Sequence, residues 1–208
     1  MLPPPKKPVL ALDAMGVLYA AGDDVADLLV PFVTKYGNGV SPSVIEREYL
    51  SASLGQIDSA TFWKRVGVDP ALEESYLSGH RLNDGVSELL ASASQRFSRV
   101  CNLSNDVSEW SVRLRRSFGL DRAIDLWVIS SDVGSRKPSP AIYLHLLDRL
   151  QVSPEKVVFV DDRPQNLDGA KQVGMQTILF DPMRQASNVV HHRVERLLDL
   201  LSLDLRRQ

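Results

Sequence analysis

The chain has one cysteine, Cys101, among 208 residues. No internal disulfide can form, and a lone thiol inside an apolar run suits a reducing compartment. Neither sign of charge is in excess: 24 Lys+Arg stand against 26 Asp+Glu, a formal net charge of −2. That gives no electrostatic reason to bind nucleic acid or a membrane surface. No apolar stretch is long enough to span a bilayer. The opening Met-Leu-Pro-Pro-Pro-Lys-Lys-Pro does not read as a secretory signal, because prolines and charges interrupt any apolar run; it reads as a polyproline-like lead-in. These absences point to the cytoplasm, with neither nucleic acid nor membrane as a partner. Nothing in the composition sets an oligomeric state. Hydrophobic residues make up 44% and charged residues 24%, ordinary for a globular chain able to build one sizeable core and a small accessory unit.

What is present is a set of short apolar runs that end in chemically capable side chains. Val9-Leu10-Ala11-Leu12 ends at Asp13. From about Asp23 to His80 the period changes. Ala26, Leu29, Val30 and Val33 repeat at helical steps, Ser41-Pro42 opens a helix through Ile45 and Tyr49, and Ser59–Val66 and Asp69–Leu77 give two more. Phe62, Trp63 and Tyr49 supply this segment's own core, one of them able to line a pocket mouth, and Lys35 and Lys64 its solvated face, from which either could reach a substrate. From Asn83 onward helix and strand alternate, with strands at Val100–Leu103, Ile124–Ile129, Val157–Val160 and Thr177–Phe180. Such alternation argues for an α/β fold, a Rossmann-like parallel sheet with helices on both faces. A small all-helical cap is inserted after the first strand. Residues 1–20 and 81–208 form the core and 21–80 the cap. The leucines between Asn188 and Leu203 are spaced for a helix packed on the core, with His191 and His192 on its surface.

Parallel strands bring their carboxyl ends to one edge. Asp13 and the tandem Asp161-Asp162 then meet there. Carboxylates gathered this way repel one another unless a cation lies among them, and hard oxygen ligands suit Mg²⁺. Asp13 is free to act as a nucleophile. Each residue also has an ordinary reading: Asp13 can be a turn residue, Asp161-Asp162 can cap a helix before Arg163-Pro164, and Ser104 can cap the helix that follows it.

Four segments follow strands in order: Asp13-Ala14-Met15-Gly16-Val17-Leu18, Leu103-Ser104-Asn105-Asp106, Arg136-Lys137-Pro138 and Val160-Asp161-Asp162-Arg163-Pro164-Gln165-Asn166. Together they resemble the four motifs of the haloacid dehalogenase (HAD) superfamily. Ser131 to Pro138 with Ile142-Tyr143 is similar to the subgroup holding small sugar-phosphate phosphatases and the phosphatase domain of epoxide hydrolases. The resemblance implies a Mg²⁺-dependent hydrolase acting on a small phosphorylated metabolite, with Asp13 as nucleophile. It assigns Gly16 to the turn around the phosphate, Ser104 and the Asn105 N–H to phosphoryl oxygens, and Lys137 to charge neutralisation. Asp13, Asp162 and the Met15 carbonyl would hold the metal, with Asp161 orienting it. One position departs from the family pattern: Met15 stands where the phosphatases carry an aspartate that moves a proton, and methionine cannot. Asp23 or Asp24, just beyond the first motif, could supply that proton instead. Two other readings follow from Met15, a metal-independent 2-haloacid dehalogenase and a relative that binds a phosphate ligand without turnover.

Overall fold

The computed structural model describes residues 7–187 and 190–203. The lead-in before Lys7, Asn188 at the start of the tail, Val189, and the residues after Leu203 lie outside the described residues. Six strands form one parallel sheet: β1 Val9–Leu12, β2 Arg99–Ser104, β3 Leu126–Ile129, β4 Val157–Asp161, β5 Gln176–Phe180 and β6 His192–Val194. Their spatial order is β3-β2-β1-β4-β5-β6. The first strand is therefore central, with Leu12 opposite Asn102 on one side and Val160 on the other.

Both faces of β1 are apolar because both are covered. Leu10 and Leu12 face Val86 and Leu89 of α5 (Val86–Ser92) and Trp110 and Leu114 of α6 (Ser108–Ser117). Val9 and Ala11 face Ile142 and Leu146 of α8 (Pro140–Leu150) and Leu167 and Ala170 of α9 (Pro164–Gln172). Cys101 is fully buried in the second face, and burial pushes its thiol up to about 12, which leaves it inert as a nucleophile.

Between β1 and β2 the chain is helical. A π-helical turn, Val25–Leu29, runs into α1 (Val30–Tyr36), followed by α2 (Pro42–Ser53), α3 (Ser59–Arg65) and α4 (Glu73–Leu77). Asp58 caps α3 by accepting the Thr61 N–H at 2.7 Å. This segment does not pack only on itself. Trp63 lies 5.4 Å from Trp110 of α6, ring centre to ring centre. The buried Glu73 carboxylate accepts the indole N–H of Trp63 at 2.7 Å and that of Trp110 at 2.9 Å. Arg113 completes the carboxylate's shell at 3.1 Å. One acidic side chain thus ties the helical segment to the sheet's covering helix.

The tail departs from the sequence expectation. A strand, β6, adds to the open edge of β5 with Ile178 opposite His192, and a 3₁₀-helix, Leu197–Leu201, follows. The strand satisfies an edge that would otherwise be bare. Leu197 and Leu200, three apart, both reach the core on the tighter 3₁₀ turn. His191 is buried rather than superficial. It shares a 2.8 Å hydrogen bond with Thr177 Oγ1 and a 3.2 Å one with Asp168, while His192 stays exposed. Among the described residues no helix is long and apolar enough to cross a membrane.

The Glu73 link can be measured. Glu73→Ala strands two buried indole donors, each worth about 1–3 kcal/mol when unpaired. Urea unfolding is expected to show a loss of about 2–5 kcal/mol. A loss well under about 1 kcal/mol would mean the indoles find other partners and the link is dispensable.

Candidate active site

The chain order reverses between β1 and β4, and a crevice opens beyond their carboxyl ends. Asp13 extends β1 by one bond, its N–H donating to the Val160 carbonyl at 2.9 Å. Asp13 Oδ1 accepts the Ala14 N–H and the Lys137 ammonium, both at 2.6 Å. No described donor engages Oδ2, which leaves one oxygen for chemistry.

Asp161, at the end of β4, is saturated. Its Oδ2 accepts Lys137 Nζ at 2.7 Å and Asn166 Nδ2 at 3.0 Å. Its Oδ1 accepts the Arg163 N–H at 2.8 Å and Asn166 Nδ2 at 3.1 Å. Asp162 is the opposite case: among the described residues its Oδ1 is buried with no partner. Ligand oxygens of Asp13, Asp161 and Asp162 can all lie within 4.8 Å of one another. Gly16 makes this approach feasible. Its φ is +79°, and a β-carbon there would collide with the Asp162 carboxylate. The turn is fixed by the Gly16 N–H on the Tyr19 carbonyl and by the Leu18 and Tyr19 N–H groups on the Ala14 carbonyl. The Met15 carbonyl stays out of those bonds.

Charge explains the rest. Burial is the largest influence on Asp13, and with the neighbouring Asp161 it outweighs Lys137 and holds the carboxyl well above its usual range. Burial and Asp161 push Asp162 up to about 7. Burial alone would lower Lys137; the flanking Asp13 and Asp161 more than offset it and keep the ammonium charged. Three carboxylates face one buried lysine, with Arg163 beside Asp162, so the pocket keeps excess negative charge and, among the described residues, a carboxylate oxygen with nothing to bind. An all-oxygen donor set of Asp13, Asp162 and the Met15 carbonyl fits a hard divalent cation of the Mg²⁺ type.

The other motifs converge on the same cavity of about 300 Å³, lined by Asp13, Met15, Ser104, Asn105 and Lys137 from the sheet edge and by Asp24, Tyr49 and Leu50 from the helical segment. Ser104 Oγ is buried there with no partner. The Asn105 side chain is spent elsewhere, accepting the Lys137 N–H at 2.8 Å and donating to the Lys137 carbonyl at 3.0 Å. It clamps the lysine loop, leaving only its main-chain N–H for a ligand.

Three side chains in or beside this site have roles that the sequence did not assign to them. Asn166 lies in the first turn of α9 and accounts for two of the bonds on Asp161; its place inside the fourth motif was the available signal. Tyr49, expected in the helical segment's core, lines the cavity and donates to the Asn105 carbonyl at 3.0 Å. Ser130 bridges the Ser53 carbonyl at 2.5 Å and the Asp106 N–H at 3.0 Å, with no local pattern to reveal it.

The family model described as haloacid dehalogenase-like hydrolase matches residues 9–174. A phosphorylated carbohydrates phosphatase of Thermotoga maritima is 38% identical over 97 residues, 46% of this chain and 44% of that protein. The bifunctional epoxide hydrolase 2 of Mus musculus is 47% identical over 60 residues, 29% of this chain and 11% of that protein. The chain thus spans less than half the length of these relatives. Among solved structures, a HAD phosphatase from Thermococcus onnurineus superposes with a TM-score of 0.70 at 23% identity, over 93% of this chain and 95% of that one. A dehalogenase superposes with a TM-score of 0.69 at 22% identity, over 99% and 100%. At such identities the structural likenesses speak for the fold alone.

The raised carboxyls set a pH dependence. Asp13 and Asp162 hold protons more tightly folded than unfolded, so their contribution to stability is complete below their unfolded values near about 4. It is lost as pH rises through the folded values, about 7 for Asp162. Calorimetry on metal-free protein is expected to give a lower melting temperature at about pH 8 than at about pH 5. Mg²⁺ should narrow that gap by offsetting the ionised pair. A gap that is absent, or that Mg²⁺ leaves unchanged, would contradict the charge balance drawn above.

Proposed function

Because the chain belongs to the haloacid dehalogenase-like hydrolases, we propose that it hydrolyses a small phosphomonoester with Mg²⁺ through a covalent intermediate on Asp13. The observation that carries this reading is the uneven use of the two tandem aspartates. Asp161 is saturated by Lys137, Arg163 and Asn166, while Asp162 keeps a buried oxygen with no partner. A site for a neutral or carboxylate ligand would have no use for that excess negative charge.

Asp13 Oδ2 would attack phosphorus in line, with Oδ1 held by Lys137 so that the free oxygen points outward. Lys137 neutralises both the nucleophile and the charge on the transferring group. Ser104 Oγ and the Asn105 N–H take phosphoryl oxygens. Asp13, Asp162 and the Met15 carbonyl would hold the Mg²⁺, whose charge when bound offsets the carboxylates and draws in the phosphate dianion. The cavity's small size favours a compact alcohol portion, and the relative that acts on phosphorylated carbohydrates favours a sugar phosphate. The helical segment would serve as a cap that excludes water and selects the substrate.

A screen of phosphorylated metabolites for phosphate release, with and without Mg²⁺, tests the reading. Release is expected only with the metal. Asp13→Asn should lower it by several orders of magnitude in a folded protein. Asp162→Ala should weaken Mg²⁺ binding at least about tenfold by titration calorimetry. Chloride release from 2-haloacids without metal would replace this reading with dehalogenation. Aspartyl-phosphate that forms but never turns over would replace it with ligand binding.

A further inference from the structure

We propose that Asp24, delivered by the helical segment, is the catalytic acid–base of this site. It protonates the departing oxygen and then takes the proton from the attacking water. The assignment rests on the phosphomonoester reading above and identifies the proton donor that Met15 cannot be.

The first observation is position. Asp24 is buried, 5% exposed, and lines the same cavity as Asp13, Met15 and Lys137. The second is that it lacks a structural reason to be there. It occupies the N-cap of the π-helical turn but makes no capping bond. Asp23 does that work, accepting the Ala26 N–H at 3.1 Å. Among the described residues the Asp24 carboxylate accepts one hydrogen bond, a long one of 3.4 Å from the Tyr49 hydroxyl. That hydroxyl has a single proton and a better acceptor, the Asn105 carbonyl at 3.0 Å. A buried carboxyl without a committed partner is costly as a fixed anion and suited to carrying a proton.

The third observation is elimination among the acids in and around the cavity. Asp161 and Asp162 do not line it; Asp161 is saturated and Asp162 belongs to the cation-binding set. Asp23 and Glu46 are exposed, and Asp23 lies 3.8 Å from Arg163. Asp106 is buried but does not line the cavity, and its Oδ1 accepts the Val107 N–H at 2.7 Å. Asp24 is the remaining carboxyl in contact with the space a substrate would fill. The charged and titratable groups facing it are Arg163, Asp23, Tyr49, Arg136, Asp106 and Tyr76. Burial outweighs the two arginines and pushes its carboxyl up to about 6. An acid near neutrality is what proton transfer in both directions requires.

The steps balance. Asp13 Oδ2 forms a bond to phosphorus while the bond from phosphorus to the ester oxygen breaks. That oxygen takes the Asp24 proton and leaves as an alcohol, with Asp24 now a carboxylate. Water then attacks phosphorus and gives its proton to Asp24. The bond from phosphorus to Asp13 breaks, releasing inorganic phosphate and restoring both aspartates.

The test is a series of aryl phosphates, from dinitrophenyl to phenyl phosphate, followed with Mg²⁺ at the phosphoenzyme-forming step for the parent protein and for Asp24→Asn. The amide is isosteric, and the dinitrophenyl ester, which needs no proton, reports that the variant is folded and competent. Asp24→Asn is expected to lose about 10²-fold or more on phenyl phosphate and little on dinitrophenyl phosphate. The rate on phenyl phosphate in the parent should decline on the basic side, at or above a pH of about 6. That limb should vanish in the variant. Equal losses across the series, or a parent-like dependence on leaving group and pH, in an active protein would overturn Asp24 alone. A parent inert to the whole series would overturn the phosphatase reading and this assignment with it.

Discussion

Lys137 sits between two buried carboxylates, and they chiefly offset the cost of taking its ammonium out of water, with the Phe159 ring 5.2 Å away adding to them. The fold at the sheet edge depends on that balance. Asp13 follows the central strand, Asp161 ends its neighbour, and the lysine arrives from the loop before α8, itself held by the Asn105 clamp from a third strand. Four loops far apart in sequence are therefore fixed at one point, three through charge-assisted hydrogen bonds on the lysine ammonium and the fourth through neutral amide bonds to its backbone. Removing the lysine would leave two unpaired buried carboxylates. Removing either carboxylate would free the lysine to turn.

The same balance explains the division of labour in the site. One ammonium cannot neutralise three carboxylates. Asp161 takes the largest share of donors and becomes structural. Asp13 is tied by one oxygen and open by the other. Asp162 keeps an oxygen unpaired, and the glycine at 16 gives it room. A divalent cation would complete this arrangement without displacing any existing bond. The uneven distribution of partners is thus informative about the chemistry, where the mere presence of acids would not be.

Much of this was legible in the residues. Strands β1 and β4 are short apolar runs ending in aspartate, and buried parallel strands read that way because both faces are covered. The four motifs kept their order along one edge. What was not legible depended on long-range packing. His192–Val194 is too short to announce a strand and exists because β5 has an edge to fill. The Asn105 side chain could not be read as a lysine clamp, since its partner lies in another loop. The sequence offered Asp23 and Asp24 equally as the source of the proton Met15 cannot move. The separation of Asp24 from Asp23 follows from which of them the cavity wall buries, and that is decided by α2 and the Tyr49 it carries.

The central place of β1 has a consequence for how the chain acquires its structure. Val9 pairs with Arg99 on one side and with Val157 on the other. During synthesis the first strand emerges without either neighbour, and the helices that follow it are made of local contacts that form early. The sheet can close only after the chain has returned twice, and β4 brings Asp161 and Asp162 on the second return. The catalytic edge is therefore assembled late, by the most distant pairing in the core. Until then an apolar strand with open edges is exposed to association with other chains. The helical segment is the next element made and the nearest available to cover it, although its own core is complete only once Trp110 of α6 arrives.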